Sequence, residues 1–311
     1  MYFPYLRGKR YELLAQRELA DFLAKSGKIL PIVEPVNEQF GDLINYVREM
    51  NAADAPYALV VNPTVGELKG QGISRTDPDF LPHDGAFTAL IITNDMAIED
   101  IGAFLREGPT CKRMLIHAAE AEDYREITAA IKRSKKNVVN VFLDGGVSES
   151  YAAVFKSWNS VLIRDPFHPA ETNADYRPRD GEFFSDLHLT FKEKGFMGFG
   201  DYLTIGRRFR EGGSRPKTVA VHVTFKNYAT NDMRIRHFVS DKLPETTADI
   251  DGKVQEALNK MRTFRENNEE PCNCDACEFL MASQKDKAAV GLGLLKKLSM
   301  KHHIVLTGSI V

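Results

Sequence analysis

Strand-like apolar runs alternate with helical segments along most of the chain, and this alternation limits the fold more than any other feature of the sequence. The strand-like runs are 28–36, 57–63, 87–95, 113–119, 137–146, 160–167, 201–206 and 218–225. Between several of them, apolar residues recur at the spacing of one helical face, as Phe40, Leu43 and Val47 do. Near-continuous apolar runs are typical of strands that are covered on both faces.

Eight strand–helix units are the number found in a (β/α)8 barrel, so the sequence predicts an α/β fold of the TIM-barrel type. A doubly wound open sheet also alternates strands with helices, and the count favours the barrel over it. The run 233–241 alternates like a further strand, which predicts an extra β-hairpin of 218–225 and 233–240 near strand eight. The predicted domains are a barrel-like domain over 1–265 and a cysteine-containing C-terminal extension over 266–311.

Composition excludes several classes of protein. The chain has 311 residues, of which 43% are hydrophobic and 27% are charged, as in soluble globular proteins. The net charge of −2 provides no field that would attract nucleic acid or an anionic membrane. The sequence has no apolar run of about 18 residues and no signal-peptide pattern at its start. We therefore expect a cytoplasmic protein with no membrane partner.

Polar residues follow the predicted strands, where a barrel enzyme binds its ligand. The candidate catalytic residues at these positions are Glu34, His117 and Asp144. The candidate ligand-binding residues are Asn62, Arg164 and Arg207. Such a mixture can clamp a phosphate while a carboxylate or an imidazole moves a proton. Polar residues are also normal wherever a strand enters a turn, so a purely structural role stays open for each of them.

Several blocks together resemble a known family. They are YFPYLRGKRYELLAQRELA, ILPIVEPV, VLIRDPF, FFSDLHLTFKEKGFMGFGDYLTIG, TVAVHVTF, RIRHFVSD and LKKLSMKHHI. Spread from Tyr2 to His303, they resemble the bacterial and phage beta protein family. The resemblance implies an intracellular protein with one barrel-like unit and a link to phage–host conflict, but no particular reaction.

The resemblance adds motif positions to the candidate sites. The added catalytic candidates are Asp186, His188 and His222, and the added ligand-binding candidates are Arg7, Lys9, Asp201, Tyr202 and His237. Asp201 stands at the start of the predicted seventh strand, so either it lies at the wrong end of the barrel or the strand boundary is elsewhere. His237 is expected opposite His222 in the predicted hairpin. The sequence fits equally well with two roles for His222: a core histidine whose ring nitrogens are hydrogen-bonded, or a catalytic residue.

Three cysteines stand close together in the stretch CNCDAC. Cys272, Cys274 and Cys277 could bind one soft cation, and His302 is the expected fourth ligand, with His303 and Cys111 as alternatives. The spacing differs from that of a standard zinc finger, so free thiols, a redox pair and an iron–sulfur cluster stay open. A disulfide is disfavoured in a reducing cytosol. The sequence predicts a structural zinc ion that stabilises the C-terminal extension.

Two classes of function fit these features. One is an enzyme that acts on a phosphorylated or nucleotide-like ligand at the C-terminal ends of the strands, as the mixed ring of acids, histidine and cations indicates. The alternative is a non-catalytic recognition or regulatory subunit that binds a protein or nucleic-acid partner. The absence of a complete catalytic signature favours this alternative, because a fold alone does not establish a reaction.

Overall fold

The computed structural model describes residues 1–74, 78–80, 83–107, 112–155, 158–179, 181–212, 215–241, 245–267 and 274–311. The chain divides into two compact units. The first comprises residues 1–165, 190–202 and 311, and the second comprises 166–189 and 203–310. This division differs from the predicted boundary at residue 265, because the segment 203–265 belongs to the same unit as the C-terminal helices.

The elements are strands and helices that alternate from the second strand to the seventh. The strands are β1 (Tyr5–Leu6), β2 (Ile32–Val33), β3 (Ala58–Val60), β4 (Phe87–Ile92), β5 (Lys112–His117), β6 (Asn137–Leu143), β7 (Asn159–Arg164), β8 (Glu182–Ser185), β9 (Gly198–Asp201), β10 (Ala220–Lys226) and β11 (Met233–Val239). The helices are α1 (Arg10–Arg17), α2 (Ala20–Ser26), α3 (Gly41–Ala52), α4 (Ile98–Arg106), α5 (Tyr124–Ser134), α6 (Glu149–Val154), α7 (Leu187–Thr190), α8 (Ile250–Asn267), α9 (Asp275–Lys285) and α10 (Leu292–Ser309).

The first unit is a nearly closed parallel barrel, which confirms the predicted fold class. Its eight strands pair in the order β1-β2-β3-β4-β5-β6-β7-β9. The ends of this sheet meet where Tyr2 pairs in parallel with Phe199. There the amide of Phe3 donates to the carbonyl of Phe199 at 2.8 Å.

Two barrel strands differ from the predicted ones. The chain start forms β1, and β9 ends at Asp201, where 201–206 was predicted to begin a strand. The residues of β9 are Gly-Phe-Gly-Asp, which lack the β-branched side chains that mark a strand in sequence. Glycine is required here, because a Cβ at Gly200 would overlap the carbonyl oxygen of Phe3.

Strand pleating separates two apolar layers in the barrel unit. Met114 and Ile116 of β5 face the interior, where they join a cluster with residues such as Tyr5 and Ile32. Leu115, between them, belongs to a second cluster with the helices α4 to α6. The face on which a strand residue lies therefore decides whether it can reach a ligand in the barrel.

The second unit contains the predicted hairpin, but as part of a separate sheet. Strands β10, β11 and β8 form a three-stranded antiparallel sheet, in which His222 lies opposite His237. One face of the sheet packs against α8, α9 and α10 in an apolar cluster that includes Val221 and Leu298. The predicted eighth barrel strand, 218–225, is thus a strand of this second sheet.

The longest helices of the described ranges are α8 and α10, with 18 residues each. Both contain charged side chains, among them Lys253 in α8 and Lys296 in α10. None of the helices in these ranges is long and apolar enough to cross a membrane.

Candidate ligand site and candidate metal centre

A polar cluster lies at the C-terminal ends of the barrel strands. We call it the mouth cluster, and its members are Tyr5, Arg7, Glu34, Thr64 and Tyr202. Glu34 is fully buried, and its Oε2 accepts from the hydroxyl of Tyr5 at 2.7 Å and from the guanidinium of Arg7. Its Oε1 accepts from the amide and the hydroxyl of Thr64, at 2.7 and 2.8 Å. Glu34 is therefore held by four hydrogen bonds, which suit it to fixing Arg7 in place.

Arg7 is the cationic member of the mouth cluster. Its guanidinium carbon lies 5.2 Å from the ring centroid of Tyr5 and 5.6 Å from that of Tyr202, and 11% of its side chain is exposed. Burial is the largest influence and opposes its charge, but Tyr5, Glu34, Tyr202 and Glu12 together outweigh burial and raise the pKa of Arg7. The next residue, Gly8, has a φ of +63°, and a Cβ there would lie 3.1 Å from the carbonyl oxygen of Glu34. Glycine thus allows this loop to approach Glu34 closely.

An open cleft with a volume of about 700 Å³ borders the mouth cluster. Thr64 lines this cleft together with Asn62, Lys69, Thr93 and Asp95. The side-chain amide of Asn62 donates to the carbonyl of Ile91 and accepts from its amide, both at 2.8 Å. The Asn62 side chain therefore extends the pairing of β3 with β4. Of the cleft residues, Thr64 also contacts Glu34, so it connects the cleft with the mouth cluster.

The expected convergence of Glu34, His117 and Asp144 in one cavity is wrong for His117. His117 follows the inward-facing Ile116, so its side chain lies on the helix side of the sheet. It stacks on Phe142 with 4.7 Å between ring centroids. Its Nδ1 lies 3.0 Å from the hydroxyl of Tyr151, and its Nε2 lies 3.1 Å from Oδ1 of Asn140. The surroundings are those of a satisfied core histidine.

Acid should destabilise the barrel unit through His117. Burial lowers the pKa of His117 from 6.5 to about 4, so the unfolded chain binds this proton more readily. The contribution of neutral His117 to the free energy of unfolding is fully present above about pH 6.5 and is lost as the pH falls towards 4. This contribution amounts to about 3 kcal/mol. We expect NMR to find the His117 imidazole neutral at pH 5.5 and urea unfolding to be easier at pH 4.5 than at pH 7. A midpoint near 6.5 for His117 would contradict this assignment.

The other predicted site residues of the barrel unit are spread over this unit. Asp144 and Arg164 form a partly exposed ion pair with 2.7 Å between Oδ2 and Nε. Asp201 is buried and accepts from the hydroxyl of Tyr2 at 2.8 Å. It ends β9, so the strand boundary was misplaced and Asp201 lies at the C-terminal end after all. Lys9 is half-buried at the N-cap position of α1.

Several of the predicted site residues lie in the second unit. Asp186 and His188 flank the start of α7, where Nε2 of His188 lies 2.8 Å from the carbonyl of Asn231. Arg207 is half-buried in the segment that follows the barrel. His222 and His237 face each other across β10 and β11, as predicted. Sequence reasoning missed Glu182, which contacts His237, and it missed Tyr5 and Thr64 of the mouth cluster.

A cysteine–histidine cluster in the second unit could hold a metal ion. Cys274, Cys277 and His302 offer ligand atoms that all lie within 4.8 Å of one another. Nδ1 of His302 is 3.3 Å from Sγ of Cys274 and 3.5 Å from Sγ of Cys277. Cys274 caps the N-terminus of α9, Cys277 lies in its first turn, and His302 lies on α10. Cys272, Cys111 and their predicted roles lie outside the described residues.

The protonation of His302 suits metal binding. Its Nε2 lies 2.6 Å from the backbone carbonyl of Thr224 and donates to it, which leaves the lone pair of Nδ1 facing the two thiols. A ligating histidine in a metal site commonly donates its other N–H to such a carbonyl. Burial lowers the pKa of His302 to about 4 and raises the pKa of the Cys274 thiol. Two sulfurs and one neutral imidazole nitrogen are a donor set for a soft or borderline cation.

Comparison with known proteins gives little guidance. No protein-family model matches the sequence, and no curated protein matches it. Among solved structures, the chain is similar to a truncated form of 3-deoxy-D-arabino-heptulosonate 7-phosphate synthase from Thermotoga maritima, with a TM-score of 0.34 and 12% identity. The match covers 64% of this chain and 74% of that chain. A likeness at this level supports no statement about activity.

Proposed function

We propose that the chain is a barrel enzyme whose ligand carries a phosphate or a similar anionic group, as in a nucleotide. The observation that carries this proposal is the position of Arg7. Its guanidinium is fixed at the C-terminal ends of the strands by Glu34 and lies beside the rings of Tyr5 and Tyr202. A guanidinium has five N–H donors in a rigid plane, and Glu34 accepts from Nη1.

The mouth cluster has the chemistry of a phosphate site. A pre-oriented guanidinium binds phosphate at little cost in side-chain entropy, and the buried rings of Tyr5 and Tyr202 help to hold Arg7 in place. The adjoining cleft of about 700 Å³ has the size of a small-molecule site. Membership of the beta protein family, with a cytoplasmic role in phage–host conflict, belongs to the same proposal and is supported by the sequence blocks from Tyr2 to His303.

A second candidate function is a non-catalytic binding protein whose partner is a protein or nucleic acid. The observation that favours it is the state of two of the groups predicted to move protons. Glu34 is held by four hydrogen bonds, and His117 lies beneath the helices. Turnover of a phosphorylated small molecule would favour the enzyme, whereas saturable binding without turnover would favour this candidate.

Removing Arg7 should weaken the binding of a phosphate-bearing probe at least tenfold. The probe is adenosine monophosphate, and the measurement is isothermal titration calorimetry. Arg7→Met alone would leave Glu34 buried without its cation, which destabilises a protein by about 3–5 kcal/mol. We therefore compare Glu34→Gln, which keeps Arg7, with the double variant Arg7→Met/Glu34→Gln. The double variant is expected to bind the probe at least tenfold more weakly than Glu34→Gln.

The matched control is Arg17→Met in the same unit. Arg17 pairs with Glu49 between α1 and α3, away from the mouth cluster. Its loss should leave the affinity for adenosine monophosphate within twofold. The proposal is wrong if the native protein binds neither the nucleotide nor inorganic phosphate. It is equally wrong if Arg17→Met weakens binding as much as the double variant does.

We further propose that the cysteine–histidine cluster binds zinc as a structural ion. Two thiolates and an imidazole supply three of the four ligands of a tetrahedral site, and Cys272 is the proposed fourth. Cys274 is the N-cap of α9, Cys277 lies in its first turn and His302 lies on α10, so the ion would join these two helices. Four protein ligands would leave no open position for a substrate, which is why we assign a structural role.

A further inference from the structure

The second unit contains a chain of three titratable side chains outside the sites described above. Nε2 of His237 lies 3.0 Å from Oε1 of Glu182, and Nδ1 of His237 lies 2.6 Å from Nδ1 of His222. The sheet sets this order, because His222 is paired with His237 and Glu182 with Ile235 on the neighbouring strands. A carboxylate followed by two imidazoles thus runs across the three strands.

The distances determine where the protons lie. Two ring nitrogens at 2.6 Å must share one proton, since two lone pairs or two N–H groups would repel each other. His237 donates through Nε2 to the carboxylate, so its neutral form accepts at Nδ1 from the Nδ1–H of His222. This tautomer places a lone pair on Nε2 of His222. Within the described part of the chain, that nitrogen has no hydrogen-bond partner in the protein, and the residue is half-buried.

The surroundings of the imidazole pair are aromatic and cationic. The ring of Tyr176 lies 4.7 Å from that of His222 and 4.5 Å from that of His237. The guanidinium of Arg179 lies 5.2 Å from the ring centroid of Tyr176. Lys296 and Arg210 add positive charge, and both are exposed. Asp175, beside Tyr176, also interacts with Arg179, so three cations stand against the two carboxylates of Glu182 and Asp175. The remaining positive charge favours an anionic ligand.

The charges and the burial agree on the state of His222. Burial, with His237 and Lys296, lowers the pKa of His222 to about 3. Burial lowers the pKa of His237, and Glu182 opposes that shift. Both imidazoles are therefore neutral near pH 7, which leaves a lone pair on Nε2 of His222. The negative charge of a bound ligand raises the pKa of His222 from its low value and so strengthens it as a base.

We propose that Glu182, His237 and His222 form a general-base relay in the second unit, which takes a proton from a water or hydroxyl group beside a phosphate-bearing ligand. The proton is bound at Nε2 of His222, and the Nδ1 proton of His222 passes to Nδ1 of His237. The resulting imidazolium lies against the carboxylate of Glu182. His222 is the catalytic residue, and Glu182 and His237 act through it. This site goes beyond the ligand site proposed at the barrel mouth and does not depend on it.

Nitrogen NMR of histidine-labelled protein tests the ligand. Inorganic phosphate is the probe, because it has the charge of the proposed ligand and no further recognition chemistry. Saturable binding should shift the Nε2 resonance of His222 and raise the pH at which it protonates. Lys296→Met should weaken this binding at least tenfold, and Lys285→Met, which removes an exposed lysine of α9, should leave it within twofold. Arg7→Met/Glu34→Gln should leave the His222 response intact, which separates this site from the barrel mouth.

Glu182→Gln tests the relay itself. This variant keeps the shape of the side chain and removes the charge that His237 faces. Glu182 contacts His237 and not His222, so its charge reaches His222 only through His237. If the relay exists, the protonation midpoint of His222 should fall by at least half a pH unit. Unchanged titration of His222 in Glu182→Gln would refute the relay. The proposal of a phosphate-bearing ligand would be refuted if the Nε2 resonance of His222 did not shift on addition of phosphate. It would also be refuted if Lys296→Met and Lys285→Met lowered the affinity for phosphate equally.

Discussion

Replacing Cys277 with serine is expected to remove zinc from the protein and to destabilise the second unit. A serine hydroxyl is a poor zinc ligand. Cys277 is a buried residue of α9, and its Sγ faces Nδ1 of His302 on α10. The folded arrangement binds the ion and the open chain does not, so the ion adds its binding free energy to folding. With free zinc at a thousandfold excess over Kd, this is about 4 kcal/mol. Elemental analysis should give one zinc per native chain and none per Cys277→Ser chain.

Chelation provides the control for this variant. Removing zinc from the native protein should lower its urea midpoint to that of Cys277→Ser, whereas the same chelator should leave Cys277→Ser unchanged. The barrel unit should unfold at the same urea concentration in both, because its apolar clusters lie in other residues. Cys272→Ser should weaken zinc binding if Cys272 is the fourth ligand. Metal-free native protein with four titratable thiols, or a mass two hydrogens lighter owing to a disulfide, would contradict the zinc assignment.

The barrel was predictable because six of its strands have long apolar runs covered on both faces. The other two do not. Pro4 precedes β1, which has two residues, and β9 contains two glycines and no β-branched residue. The sequence prediction missed β1 and β9 and counted the runs 201–206 and 218–225 as barrel strands instead. Its total of eight strands was therefore right, although two of the eight were wrong. The run 218–225 is indeed a strand, but apolar alternation cannot tell which of two sheets a strand joins.

The candidate sites were predictable only where sequence spacing fixes geometry. Cys274 and Cys277 are three residues apart at the start of a helix, so their sulfurs lie on one side of it. The strand-end rule placed Glu34 and His117 correctly along their strands, but it carries no information on which face each side chain lies. Arg7 depends on the sharp turn at Gly8, and Glu182 depends on the pairing of β8 with β11. Both are tertiary features that no local pattern records.

Gly200→Ala is expected to open the barrel where its first and last strands meet. A methyl group at this position would overlap the carbonyl oxygen of Phe3 and would lie 3.1 Å from Cγ1 of Ile163. The overlapping atom belongs to the backbone, so the clash cannot be relieved by a change of side-chain rotamer. The hydrogen bond from the amide of Phe3 to Phe199 would be displaced with it. We expect a loss of about 3 kcal/mol, at the upper end for overpacking a well-filled interior.

The control for this variant is Gly41→Ala, also in the barrel unit. Gly41 begins α3, and a Cβ there would have no heavy atom within 4 Å. Alanine favours the helix over glycine by up to about 1 kcal/mol, so this variant should be unchanged or slightly more stable. Trp158, the single tryptophan, packs against the outer apolar cluster of the barrel, and its fluorescence reports the urea unfolding of this unit. Equal urea midpoints for the two variants would mean that the chain start does not close the barrel through Phe199, and that the first strand pairs with β2 alone.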